Sequence, residues 1–181
     1  GSCFPKDTLA LVKTAQDYSS PLGLVEHVVK SNKERKQNIY KKIIKTLPTN
    51  IDSKTIAILG LTFKPNTDDM RDSPSLDLIP KLIEEKCKLK VFDPEGMEEA
   101  KKYFADISND IVYCNDAYET TKDSDALVIL TEWNQFRALD LEKVKNLLKN
   151  KIIIDLRNIY NPKELNEMGF KYYSIGRDNI D

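Results

Sequence analysis

Cys3, Lys6 and Asp7 fall within five residues, with Phe4 and Pro5 between them. A cysteine beside a lysine can hold part of its population as thiolate at neutral pH, and the thiolate is the nucleophile. The stretch 8–18 reads as a helix with Leu9, Leu11, Val12 and Ala15 on one side, which places Cys3 just before a helix N-terminus, where negative charge is favoured. On residue types alone, an ordinary unreactive thiol is the commoner reading. A second group stands sixty positions on: Phe63, Lys64 and Arg71 put a ring, an ammonium and a guanidinium within nine residues. Such a set can stack on a base and neutralise a phosphate. The plainer alternative is a packed Phe beside an exposed Lys.

The elements that must position these groups follow from periodicity. Strands are expected at 54–60, 89–93, 111–114, 125–131, 151–155 and 171–175, alternating with helices at 74–86, 95–104, 116–122, 140–149 and 162–168. That order implies an α/β fold with a Rossmann-like, mostly parallel sheet and helices on both faces. Ligands in such sheets lie beyond the carboxyl ends of the strands, so the loop 60–73 is the prime binding candidate. It contains no G-x-G-x-x-G fingerprint. Ser73 reads as an N-cap with Pro74 at the first helical position, while Pro80 should kink or shorten that helix. Arg157, in Asp155-Leu156-Arg157-Asn158 after the fifth strand, could fork onto a pyrophosphate or a sugar hydroxyl, or form a surface salt bridge. Asp93 is expected to cap a turn and Trp133 to pack a loop.

Ahead of the sheet, 21–47 reads as one long helix with Pro21 in its first turn, spanning about 40 Å at 1.5 Å per residue. Its middle, 31–38, has almost no apolar stripe, so the helix bridges two regions, packs on a partner chain or carries a solvated face. Two units are expected: 1–50, with the cysteine turn and long central helix, and 51–181, the Rossmann-like domain. Charge is nearly balanced, 28 basic against 29 acidic residues, so neither nucleic acid nor a membrane surface is called for. No apolar run is long enough to span a bilayer and no leader is visible. Three cysteines without C-x-x-C spacing fit a reducing, cytoplasmic setting and argue against a zinc site or other metal centre. His27, the sole histidine, stands in a helical pattern and reads as structural.

The runs Ser2–Thr8, Ile58–Ser75, Asp93-Pro94, Thr131-Glu132-Trp133 and Asp155–Asn158 together resemble the nucleotide-sugar 6-dehydrogenases, in the same order and over nearly the whole chain. The resemblance implies oxidation of UDP-glucose to UDP-glucuronate with two NAD+, through a thiohemiacetal and a thioester on Cys3, with Asp7 and Lys6 assisting. It implies Phe63 against uracil, Lys64 near the diphosphate, Arg157 and Phe4 on the substrate, and Arg71 and Lys6 toward NAD. It implies a homodimer through the 21–47 helix. Relatives act on UDP-N-acetylhexosamines or GDP-mannose, so the sugar stays open. Two departures stand out: Leu156 replaces the usual Gly, and the family's N-terminal NAD-binding domain is missing. The chain therefore reads as a C-terminal portion, inactive alone. The rival readings are a nucleotide-sugar-binding and dimerisation module, and a thiol-redox protein using Cys3.

Overall fold

The computed structural model describes residues 3–47 and 51–177. Helix α1 (Cys3–Asp17) and helix α2 (Gly23–Thr46) come first. Cys3 is thus the first residue of α1 rather than the one before it, and Pro5 stands in its first turn, where a missing N–H leaves no bond unmade. Pro21 lies outside α2, which starts two residues later behind Leu22 without a side-chain cap.

The sheet then alternates with helices: β1 (Thr55–Leu59), α3 (Pro74–Glu84), β2 (Lys88–Phe92), α4 (Met97–Tyr103), β3 (Ile111–Tyr113), α5 (Ala117–Thr121), β4 (Ala126–Ile129), α6 (Asn134–Arg137), α7 (Leu141–Leu147), β5 (Ile152–Asp155), α8 (Pro162–Glu167) and β6 (Lys171–Ser174). All five strand pairings are parallel, in the order β3-β2-β1-β4-β5-β6. This is a doubly wound Rossmann-like sheet. Pro80 is accommodated inside α3, which ends two residues before the expected boundary. The 3-10 turn at Ala105–Asp110 and the one-turn α6 are additions the periodicity did not announce, because neither is long enough to show a helical repeat.

Strand residues alternate between two cores. Ile56, Ile58, Val91, Val128 and Ile154 face one side, where Ile43 of α2 and Leu78, Ile79 and Leu82 of α3 cover them. Ala57, Leu59, Ile129 and Ile153 face the other, under Phe136, Val144 and Leu165 from α6, α7 and α8. The apolar runs in β1, β4 and β5 exist because both faces are buried. The C-terminal half of α2 belongs to the first core through Ile43, with Leu47 just beyond its end, whereas its N-terminal half leaves Leu24 and Val28 exposed. None of the helices of described residues is long and apolar enough to cross a membrane.

Candidate functional site

The order in which strands are added reverses between β1 and β4: β2 and β3 extend the sheet to one side, β5 and β6 to the other. The loop 60–73 leaves the carboxyl end of β1, and Thr131-Glu132-Trp133 leaves that of β4, so both border the crevice where such sheets bind ligands. Gly60 makes the approach possible. Its φ is +90°, and a Cβ there would lie 2.5 Å from the Thr131 Cβ.

Asp93, fully buried at the end of β2, holds this floor together. Its Oδ2 accepts from the backbone N–H of Leu61 (2.7 Å) and Thr62 (3.1 Å), the Thr62 hydroxyl (3.1 Å) and Trp133 Nε1 (3.2 Å). Its Oδ1 accepts from the N–H of Glu95 (3.0 Å) and Gly96 (2.8 Å). Thr131 Oγ1 donates to the Thr62 carbonyl at 2.7 Å, and the hydroxyls of Ser73 and Ser75 both donate to the Leu61 carbonyl at 2.6 Å. Ser73 also caps α3 by accepting from the Ser75 N–H at 3.2 Å. The root of the loop is therefore fixed from three sides, while its outer part carries the candidate ligand groups.

Phe63 is half-buried, its N–H donating to the Asp69 carbonyl at 2.9 Å. Lys64 is exposed and makes no side-chain hydrogen bond or ion pair with another described residue. Arg71 is clamped on Asp69 by two parallel bonds of 2.9 Å, Nε to Oδ1 and Nη2 to Oδ2. That hydrogen bonding and the Asp69 charge raise the Arg71 pKa; a smaller contribution in the same direction comes from Cys3. Lys36 of α2 reaches the same loop, donating to the Asp72 carbonyl at 2.9 Å.

Arg157 pairs with Glu132 across the ends of β4 and β5. Burial works to raise the Glu132 pKa, but the Arg157 hydrogen bond and charge, its own backbone N–H and Arg137 outweigh it and hold the carboxyl below its ordinary 4.5. Because the folded value is depressed, the pair stabilises above the ordinary value, and that contribution is lost as pH falls through the lower folded one. Glu132→Gln should therefore lower Tm at pH 7, with the difference from the unmutated chain vanishing at the acid end of a pH series. Beneath Arg157, buried Asp155 accepts from its N–H (2.9 Å), from the N–H of Ile159 (2.7 Å) and Tyr160 (3.1 Å), and from the Tyr172 hydroxyl (2.7 Å). Burial first, then Asp155, push the Tyr172 and Tyr160 hydroxyls up, so both remain protonated.

Cys3, Phe4, Lys6 and Asp7 all lie exposed at the start of α1. No hydrogen bond or ion pair among the described residues joins their side chains to Phe63, Lys64 or Arg157. Burial pushes the Cys87 thiol up to about 11 and raises Cys114 as well, which leaves Cys3 as the accessible sulfur among the three. Asp69 and Glu132 were not among the expected site residues, yet they hold the two candidate arginines. Their signals were thin: a spacing of two for Asp69, and for Glu132 a place in the quoted Thr-Glu-Trp run.

The sequence profile of the UDP-glucose/GDP-mannose dehydrogenase family, UDP binding domain, matches residues 57–162. A UDP-glucose 6-dehydrogenase from Rhizobium meliloti is 50% identical over 177 residues, covering 98% of this chain and 40% of that protein. The chain thus spans about two fifths of the length of the curated relatives it matches. Among solved structures, a UDP-glucose dehydrogenase from Pyrobaculum islandicum superposes over 96% of this chain and 37% of its own, with TM-score 0.71 and 27% identity. A UDP-D-ManNAc dehydrogenase from Pyrococcus horikoshii does so over 98% and 38%, with TM-score 0.76 and 25% identity. The matched segment contains the loop 60–73, the Asp93 hub and the Glu132–Arg157 pair, and the chain belongs to the UDP-glucose/GDP-mannose dehydrogenase family.

Proposed function

We propose that this chain is the UDP-sugar-binding portion of a UDP-glucose 6-dehydrogenase and carries its nucleophile, Cys3. The observation that carries this reading is the loop 60–73, anchored at the switch point and presenting Phe63 and Lys64 in a segment matched by the family's UDP binding domain. Phe63 lies against uracil, Lys64 neutralises the diphosphate, and Arg157, turned by Glu132, reaches the pyrophosphate or sugar; Phe4 borders the substrate. The solved UDP-D-ManNAc dehydrogenase supports a second reading of the sugar as a UDP-N-acetylhexosamine.

Oxidation of a C6 alcohol to a carboxylate removes four electrons as two hydrides, the chemistry NAD+ supplies. The described residues do not fit a complete NAD site. Gly60 is the one glycine of the loop 60–73 and is packed against Thr131, and Ser73 already takes an N–H of the first turn of α3. The cofactor is therefore assigned to the rest of the protein, with Arg71 and Lys6 reaching toward it. Within this chain, the Cys3 thiolate adds to the C6 aldehyde carbon and the carbonyl electrons move to oxygen, giving a thiohemiacetal. At the thioester level, Asp7 orients a water and accepts its proton; C–O bond formation expels the thiolate and releases the carboxylate. The chain alone should produce no NADH. It forms a homodimer through α2, a reading supported by exposed Leu24 and Val28 on that helix. Three free cysteines support a cytoplasmic setting.

Calorimetry with UDP tests the binding site. Phe63→Ala and Lys64→Ala should each weaken binding about tenfold or more, since base stacking and charge-assisted hydrogen bonds are each worth about 1–3 kcal/mol. Unchanged affinity in both, with circular dichroism unaltered, would overturn the reading.

A further inference from the structure

A cationic groove lies at the opposite edge of the sheet, by the amino ends of β5 and β6. It comprises two adjoining open grooves of about 660 and 460 Å3 that share Lys45, Thr46 and Tyr173 between α2 and the strand ends. Its walls hold Lys41, Lys42 and Lys45 of α2, Lys149 and Lys151 before β5, and Lys171 opening β6. No aspartate or glutamate among the described residues lines it. This is a strong segregation of charge in a chain with 28 basic and 29 acidic residues. Elsewhere Lys13, Lys30, Lys36, Lys54, Lys86, Lys101, Lys102, Lys145 and Lys163 sit in ion pairs among the described residues, while others, Lys64 among them, do not. Of the groove lysines only Lys149 sits in such a pair among the described residues, at 3.9 Å from Asp125, a carboxylate already 3.5 Å from Lys54. Lys42 is held half-buried, donating to the Ser174 carbonyl. Lys41 and Lys45 stand one helical turn apart, a like-charge pairing that costs stability unless an anion lies between them.

We propose that this groove binds a linear oligophosphate, independently of the UDP-sugar site. The chemistry favours phosphate chains over other anions. Six ammonium groups and no guanidinium supply point charges rather than planar forks, which suits tetrahedral phosphates taken in any rotation. Charges on α2 and on two strand ends need an elongated ligand with several anionic centres to engage them together. A single Tyr173 provides no succession of rings for a nucleic-acid strand.

The test is calorimetry with sodium tripolyphosphate on the full chain, with Tm measured alongside. Saturable binding is expected, weakening with added salt, at least tenfold tighter than orthophosphate, and raising Tm because the ligand binds the folded state. The double variant Lys45→Gln/Lys151→Gln should lose about tenfold or more in tripolyphosphate affinity and leave UDP binding unchanged. Lys101→Gln/Lys102→Gln removes the same charge from α4 and should have little effect. Equal loss in the α4 variant would overturn the proposal in favour of the general field. Loss on Lys64→Ala, or competition by UDP, would overturn it in favour of the loop 60–73. Tighter binding of a ten-nucleotide RNA than of tripolyphosphate, or no saturable binding, would overturn it outright.

Discussion

Asp93→Ala should destabilise the fold by about 3–5 kcal/mol, because it strands several buried donors worth about 1–3 kcal/mol each. The magnitude follows from what the side chain does. Six donors from three separate segments end on its two oxygens: four around Leu61, Thr62 and Trp133, and two at the turn before α4. Asp93 is fully buried, so water cannot replace the lost acceptor without opening the site, and each stranded donor costs about 1–3 kcal/mol. Gly96 limits repacking, because a Cβ there would already lie 2.4 Å from the Thr62 methyl. Asp93→Asn keeps one acceptor oxygen and turns an amide toward other donors; a loss of about half as much is expected. Urea unfolding at pH 7 measures both. A loss below about 1 kcal/mol for the alanine variant would show that the floor of the loop is held by the Thr131 and Ser73 bonds instead. UDP affinity should fall with stability here, unlike in Lys64→Ala.

Asp93 also shows how far the sequence could be read. A turn-capping role was legible from its place after an apolar strand, but its bond to Trp133 joins residues forty positions apart and had no local signal. The parallel sheet was legible because burial on both faces writes continuous apolar runs into β1, β4 and β5, and Pro74 after Ser73 marked the start of α3. Strand ends were less so: β4 stops at Ile129 rather than 131, although Leu130 and Thr131 are as buried as the strand before them. Candidate ligand groups could be named from residue type and spacing, yet their present partners could not. Arg157 is held by Glu132 from another strand end, and Arg71 by a neighbour two residues away whose loop must fold back to offer both oxygens. The lysine groove was invisible for the same reason. Its six members are spread from 41 to 171, and only the meeting of α2 with β5 and β6 collects them.

In an intact dehydrogenase carrying this segment, Cys3→Ala should reduce oxidation to the acid by about a thousandfold or more, roughly 4 kcal/mol in the barrier. The expected loss is uneven. On the proposed chemistry, removing the sulfur takes away covalent capture of the aldehyde, so supplied aldehyde should go unoxidised, whereas the first alcohol oxidation should retain the contacts proposed for Phe63 and Lys64. UDP affinity should be unchanged, because no bond among the described residues joins Cys3 to either. Cys3→Ser should not rescue, because a hydroxyl is a far weaker nucleophile than a thiolate at neutral pH. Nor can the other sulfurs substitute, since burial keeps Cys87 and Cys114 as thiols. Single-turnover assays with alcohol and aldehyde substrates separate the two steps. Full conversion to the acid by the alanine variant would remove Cys3 from the chemistry.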